Sequence, residues 1–112
     1  MSTGVVRPVD FELSSQSSVA QRAEAVRRLT DGGTVLVDGT LRLRVSAPRE
    51  LWCEVVDAEA GVHRCAEEYA VLIENARHLL SRSALTAQRP EWIPVWSVVT
   101  RSGELLWSAP SA

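Results

Sequence analysis

The dipeptide Asp38-Gly39 sits between two alternating runs, Thr34–Val37 and Thr40–Val45. Aspartate followed by glycine accepts the positive φ angles of a two-residue turn whose twist matches paired strands. The pattern predicts a β-hairpin. Along its second arm Leu41, Leu43 and Val45 alternate with Arg42 and Arg44. Successive side chains of a strand point to opposite faces, so one face of this hairpin is buried and the other carries arginines. The rest of the chain has to supply whatever covers the buried face.

Two segments have helical spacing. Ser18 and Gln21 stand at the separation of a capping box, in which hydroxyl and amide each satisfy a free backbone N–H. Val19, Ala23, Val26 and Thr30 then share a face with Leu29 beside them, and Glu24 precedes Arg28 by four residues. Gly32-Gly33 stops this helix, because glycine accepts the left-handed conformation of a helix end. The second helix is expected over 62–85. Val62, Cys65, Ala66, Tyr69, Leu72, Ile73, Ala76, Leu79 and Leu80 form its apolar stripe. At 1.5 Å per residue it spans ~35 Å, an overhang that frames a groove or reaches a second subunit.

The remaining strands follow from short apolar runs. Leu51–Asp57 carries apolar residues on both faces, as a covered central strand does. Trp92–Thr100 contains Pro94, which cannot donate to a ladder, so this strand belongs at an edge or begins after the proline. A turn at Arg101–Glu104 leads to Leu105–Ser108. The expected fold is α+β, in the order α-β-β-β-α-β-β. A mostly antiparallel five-stranded sheet packs with one short and one long helix. The domain covers residues 14–109, residues 1–13 form a flexible arm or an edge strand, and 110–112 form a tail. In element order alone the chain resembles type III secretion chaperones, small acidic dimers that bind effector segments. It lacks their last helix, no motif carries the likeness, and no family is assigned on it.

Composition excludes several classes. A chain of 112 residues is one domain with room for a core. Net charge is -2, which is not the basic footprint of a nucleic-acid binder. All 12 basic residues are arginines, and because they are spread along the whole chain GC-rich codon usage explains them better than selection for bidentate contacts. The first ten residues hold no apolar run of signal-peptide type, and no stretch approaches the ~18 apolar residues of a membrane span. With 2 cysteines in so short a chain, a reducing cytoplasm is the expected setting.

No chemical motif emerges. Cys53, His63, Cys65 and His78 make the ligand set of a zinc site, but Cys65 and His78 stand ~20 Å apart along one helix, too far to share a metal. Both cysteines read as packing thiols without a nearby base. Asp57, Glu59 and His63 precede the second helix, where acids complement the helix dipole. Phosphate-loop, dinucleotide and nucleophile-elbow motifs are absent from the sequence. No catalytic residue, metal or cofactor is nominated.

The tryptophans remain. Trp52, Trp92, Trp96 and Trp107 all fall on expected strands. They either fill the core or form an interface, where tryptophan is enriched. The sheet has more apolar surface than the two helices can cover, so the leading expectation is a non-catalytic protein-binding module: an adaptor, a chaperone-like protein or an immunity-type inhibitor. It would use a Trp-bearing sheet face or the long helix, with Trp52, Trp92, Trp96, Trp107, Arg42 and Arg44 as contact residues. The partner would be another protein or a second copy of this chain. The alternative is a small-molecule-binding domain or small enzyme, with a pocket between sheet and long helix and polar groups from Tyr69, His63 or Asp57. Nucleic-acid binding through the arginine hairpin, with Arg27, Arg28 and Arg49 adding to the patch, is weaker because acidic residues are interspersed.

Overall fold

The computed structural model describes residues 11–14, 16–57 and 64–110. The elements are β1 (Phe11–Leu13), α1 (Val19–Thr30), β2 (Thr34–Val37), β3 (Leu41–Ser46), β4 (Glu50–Val56), α2 (Ala66–Ser83), α3 (Leu85–Gln88), β5 (Ile93–Val99) and β6 (Leu105–Ser108). The strands form one six-stranded sheet in chain order, β1 to β6. The domain is α+β, as the sequence predicts, with two differences. The sheet gains a sixth strand from the N-terminal arm, and it is mixed: β1–β2 and β4–β5 are parallel, the other three pairs antiparallel. The parallel pairs arise where a helix intervenes, because a helical crossover returns the chain in its original direction.

That topology decides where the helices go. The β1–α1–β2 and β4–α2–α3–β5 connections step the same way across the sheet, between strands that point the same way. Connections of the usual right hand then put their helices on one face. Ala25 and Leu29 of α1, Tyr69, Ile73, Ala76 and Leu80 of α2, and Leu85 of α3 share one core with a single face of the sheet. From the sheet it takes Leu13, Val35, Val37, Leu41, Leu43, Leu51, Cys53, Val55, Trp96 and Val98.

Local chemistry explains the element ends. The Val37 carbonyl accepts from the Thr40 N–H at 3.1 Å across Asp38 (φ 50°) and Gly39 (φ 70°), the turn expected of Asp-Gly. Ser18 and Gln21 close the capping box at the start of α1. Gly32 (φ 90°) ends that helix, and the Gly33 N–H reaches back to the Arg28 carbonyl at 2.8 Å. The buried face of α1 is rotated from the expected one. Ala25 and Leu29 point inward, while Val19, Ala23 and Thr30 are exposed. Leu29, the largest apolar side chain of the helix, sets the face, and Ala25 follows it one turn earlier.

The second helix is shorter than its sequence period implies. Asp57 is buried and takes the Arg64 guanidinium through 2.9 and 3.4 Å bonds, holding Arg64 outside the helix. Cys65, expected on the buried stripe, is the exposed N-cap residue instead. Glu67 and Glu68, rather than Asp57, place acid in the first turn. Val62, Glu59 and His63 lie outside the described residues. At the other end Ala84 turns left-handed (φ 58°), which carries Leu85 into the core. With 18 residues α2 is ~27 Å long, close to the ~23 Å of β4, so the expected overhang is not there.

Pro94 lies inside β5 rather than before it. Its neighbour on one side is Leu51 of β4, while the ladder to β6 begins only at Ser97. The Trp96 carbonyl accepts from the Ala109 N–H at 3.1 Å, so residues 94 and 96 aim their backbone groups towards the β6 side. The missing N–H of proline therefore falls beyond the end of the β5–β6 ladder, where no ladder bond is lost.

Candidate open-face interface

The face of the sheet opposite the helices carries the candidate site. Counting outward from the turn at Ala47–Arg49, β3 and β4 pair Ser46 with Glu50, Arg44 with Trp52 and Arg42 with Glu54. Parallel pairing with β5 adds Val95 beside Trp52 and Ser97 beside Glu54. Arginine, tryptophan and glutamate thus come together at the middle of a face that none of the described helices covers.

The two arginines are held differently. Arg44 lays its guanidinium over the Trp52 ring, 4.6 Å from the centroid, and its Nε donates to Glu54 Oε1 at 3.2 Å. Arg42 reaches past β4 to the β5–β6 turn, where its Nη2 donates to the Arg101 carbonyl at 3.1 Å. No described carboxylate lies within ion-pair distance of Arg42. Glu54 is only 7% exposed, enclosed beside the likewise buried Ser97, with Arg44 as its counter-charge. The indole N–H of Trp52 is enclosed beside them without an acceptor.

The other three tryptophans face the helices. Trp92 and Trp96 are 5% and 7% exposed. Arg77 stacks over Trp96 and Arg89 over Trp92. Trp107 is half-buried and stacked on Tyr69, ring centroids 5.8 Å apart. Of the expected contact residues, Trp52, Arg42 and Arg44 are brought together, and Trp92, Trp96 and Trp107 are separated from them by the sheet itself. Glu54 was missed. The register about the Ala47–Arg49 turn places it opposite Arg42 and one step along from Arg44.

Of the groups suggested for a helix–sheet pocket, His63 lies outside the described residues. Tyr69 packs in the core against Trp107, and Asp57 is bound to Arg64. A cleft of about 430 Å³ at the sheet margin is lined by Arg77, Ile93, Pro94, Val95, Trp96, Ala109 and Pro110, and it opens to solvent beside β5. Cys53 is enclosed, and burial pushes its thiol up to about 12, so it stays protonated at neutral pH. His78 and Glu74, on the outer side of α2, lie 3.9 Å apart. Among the described residues no three His, Cys, Asp or Glu side chains group as metal ligands. No described helix is long and apolar enough to cross a membrane.

No protein-family model matches the chain, and comparison with curated proteins and with solved structures gives no match either.

Proposed function

We propose that this chain is a non-catalytic protein-binding module that docks its partner on the helix-free face of the sheet, around Trp52, Arg42 and Arg44. The observation that carries the reading is the placement of a tryptophan and two arginines, all with accessible surface, at the centre of that face. Tryptophan and arginine are the residues most enriched at binding hot spots, and such anchors sit near the middle of an interface. Their prior ordering supports it too: Arg44 is fixed by Trp52 and Glu54, and Arg42 by a backbone carbonyl, so less side-chain freedom is lost on binding. The partner is a second protein or another copy of this chain, and solution mass across a dilution series separates the two.

The reading is tested by photo-crosslinking in the protein's own cells. A benzophenone side chain is placed at Val95 on the open face, and in a control at Val71 on the outer side of α2. The expected result is a discrete protein adduct from position 95 that disappears in a Trp52→Ala background. Identical adducts from both positions, or none from position 95, would sink the proposal.

A further inference from the structure

The cleft of about 430 Å³ beside β5 adjoins a second of about 530 Å³ that runs along the flank of α2. Arg77 and Pro94 line both, so the two meet there. Arg77, Leu80, Ser81 and Ala84 recur at helical intervals and form one wall, a single stripe ~10 Å long at the end of α2. Pro90, Trp92 and Pro94 face it across the groove. The two prolines bring rings and no N–H, so this stretch offers a ligand mainly apolar surface. Arg77 is the only described charged side chain that lines either cleft. Its guanidinium lies over the Trp96 ring, 5.0 Å from the centroid, which orients it. It donates no hydrogen bond to any described group, and Glu74 comes no nearer to it than 3.9 Å. Arg89, stacked on the neighbouring Trp92, already holds Glu91 at 2.7 Å. Arg77 is therefore an ordered guanidinium with its paired N–H donors unspent, and a carboxylate matches such a pair with two parallel bonds.

We infer that this groove binds a small straight-chain carboxylate, its head on Arg77 and its hydrocarbon tail along Leu80 and Ala84, against Pro94 and Trp92. One charge at one end of an apolar path selects a ligand with one charged end. The course of the groove selects an unbranched tail, because its wall is one helix stripe, close in length to an extended octanoyl chain. Each cleft has the volume of a small-molecule site, ~300–1,000 Å³. The path of the tail lies across the sheet from Trp52, so this site and the docking face stand or fall separately.

The test titrates the full chain with sodium octanoate, 1-octanol and sodium acetate, read by calorimetry and by amide NMR shifts on the same samples. Octanoate should saturate the groove and move the amides of Ser81, Ala84 and Ala87, while those of Val71 and Glu12 stay in place. Octanol, the same chain without the charge, should bind at least tenfold more weakly. Acetate, the same head without the tail, should show no saturation at concentrations where octanoate is saturated. Arg77→Met keeps an unbranched side chain against Trp96 and should bring octanoate down to the level of octanol. The comparison of the three ligands needs no variant, so a folding defect cannot imitate it. Equal binding of octanoate and octanol overturns the inference, as does an absence of saturable octanoate binding. Octanoate shifts spread over other apolar surfaces overturn it in favour of non-specific adsorption. If Arg77→Met weakens octanoate and octanol alike, the loss is one of packing and the carboxylate-binding role of Arg77 fails.

Discussion

Arg44 covers the ring of Trp52 from the directly opposite position on the neighbouring strand, guanidinium carbon 4.6 Å from the ring centroid. The pair stands on the side of the sheet opposite the described helices. Its indole N–H has no acceptor, and an enclosed donor left unpaired costs ~1–3 kcal/mol. Trp52→Phe removes that donor along with some contact area, so the two effects oppose each other. The expected stability change is within ~1 kcal/mol. Trp96→Ala opens a cavity in the core and should cost ~3–5 kcal/mol. Urea unfolding of both variants checks the contrast; equal losses would place the two tryptophans in equivalent surroundings.

Removing Arg44 leaves Glu54 enclosed without its counter-charge. Because the Arg44 side chain is 40% exposed, solvent screens part of the interaction and the cost is smaller than for a fully buried pair. Arg44→Ala should destabilise by ~1–2 kcal/mol, and Glu54→Gln in the same background should restore part of that. A double-mutant cycle measures the coupling, and additive losses would show that the two side chains do not support each other.

The two thiols should behave differently. Cys53 is enclosed and its pKa is pushed up to about 12, whereas Cys65 is exposed at the start of α2. A thiol-specific reagent should label Cys65 at once and Cys53 only on unfolding. The raised pKa also sets a pH dependence. An unfolded cysteine ionises near ~8.5, so above that pH the unfolded state sheds a proton that the folded state keeps. Stability is therefore fully present below pH ~8.5 and falls as pH rises through the window up to the folded value, by at most ~1.4 kcal/mol per unit. Cys53→Ala should flatten this alkaline decline; an unchanged slope would assign it to other groups.

Ser18 closes the start of α1 by accepting from the Gln21 N–H at 3.2 Å, and the Gln21 side chain accepts from the Ser18 N–H at 2.8 Å. Ser18→Ala should cost ~1 kcal/mol and lower the thermal midpoint by several degrees in a domain this size. Calorimetry of the variant decides whether the cap contributes.

Ala84 is left-handed at φ 58°, a conformation that glycine adopts without a Cβ penalty. Ala84→Gly should stabilise the fold by ~0.5–1 kcal/mol despite the greater freedom it gives the unfolded chain. A loss of stability would mean that the Ala84 methyl contributes more in packing than its backbone costs.

Strong local signals were the legible ones. Asp38-Gly39 announced a turn, Ser18 and Gln21 a cap, and Tyr69, Ile73, Ala76 and Leu80 a buried stripe, because each depends on neighbours within a few residues. The register of β3 against β4 was legible only in part: the sequence marks a loop around Pro48, and the structure narrows it to Ala47–Arg49, which sets Arg44 against Trp52 and Arg42 against Glu54. Long-range pairing was not. The parallel joining of β4 to β5 depends on α2 carrying the chain back across the sheet, and that turned four tryptophans of similar sequence context into three on the helix side and one outside. The shortening of α2 had a similar origin: Arg64 pairs with the distant Asp57 and Cys65 takes an extended backbone as the N-cap, although the apolar period of the sequence runs on through it.

Each strand in this sheet lies beside the strand next to it in sequence, with no strand threaded between two others. Fraying at either end of the chain therefore peels away an outer rib, β1 or β6, and leaves β2 to β5 joined. Arg44, Trp52 and Glu54 make their contacts within the two innermost strands, insulated from loosening at both margins, whereas the hold on Arg42 reaches out to the β5–β6 turn. A surface placed there can tolerate ragged or remodelled termini, because its geometry is anchored where the sheet is last to come apart.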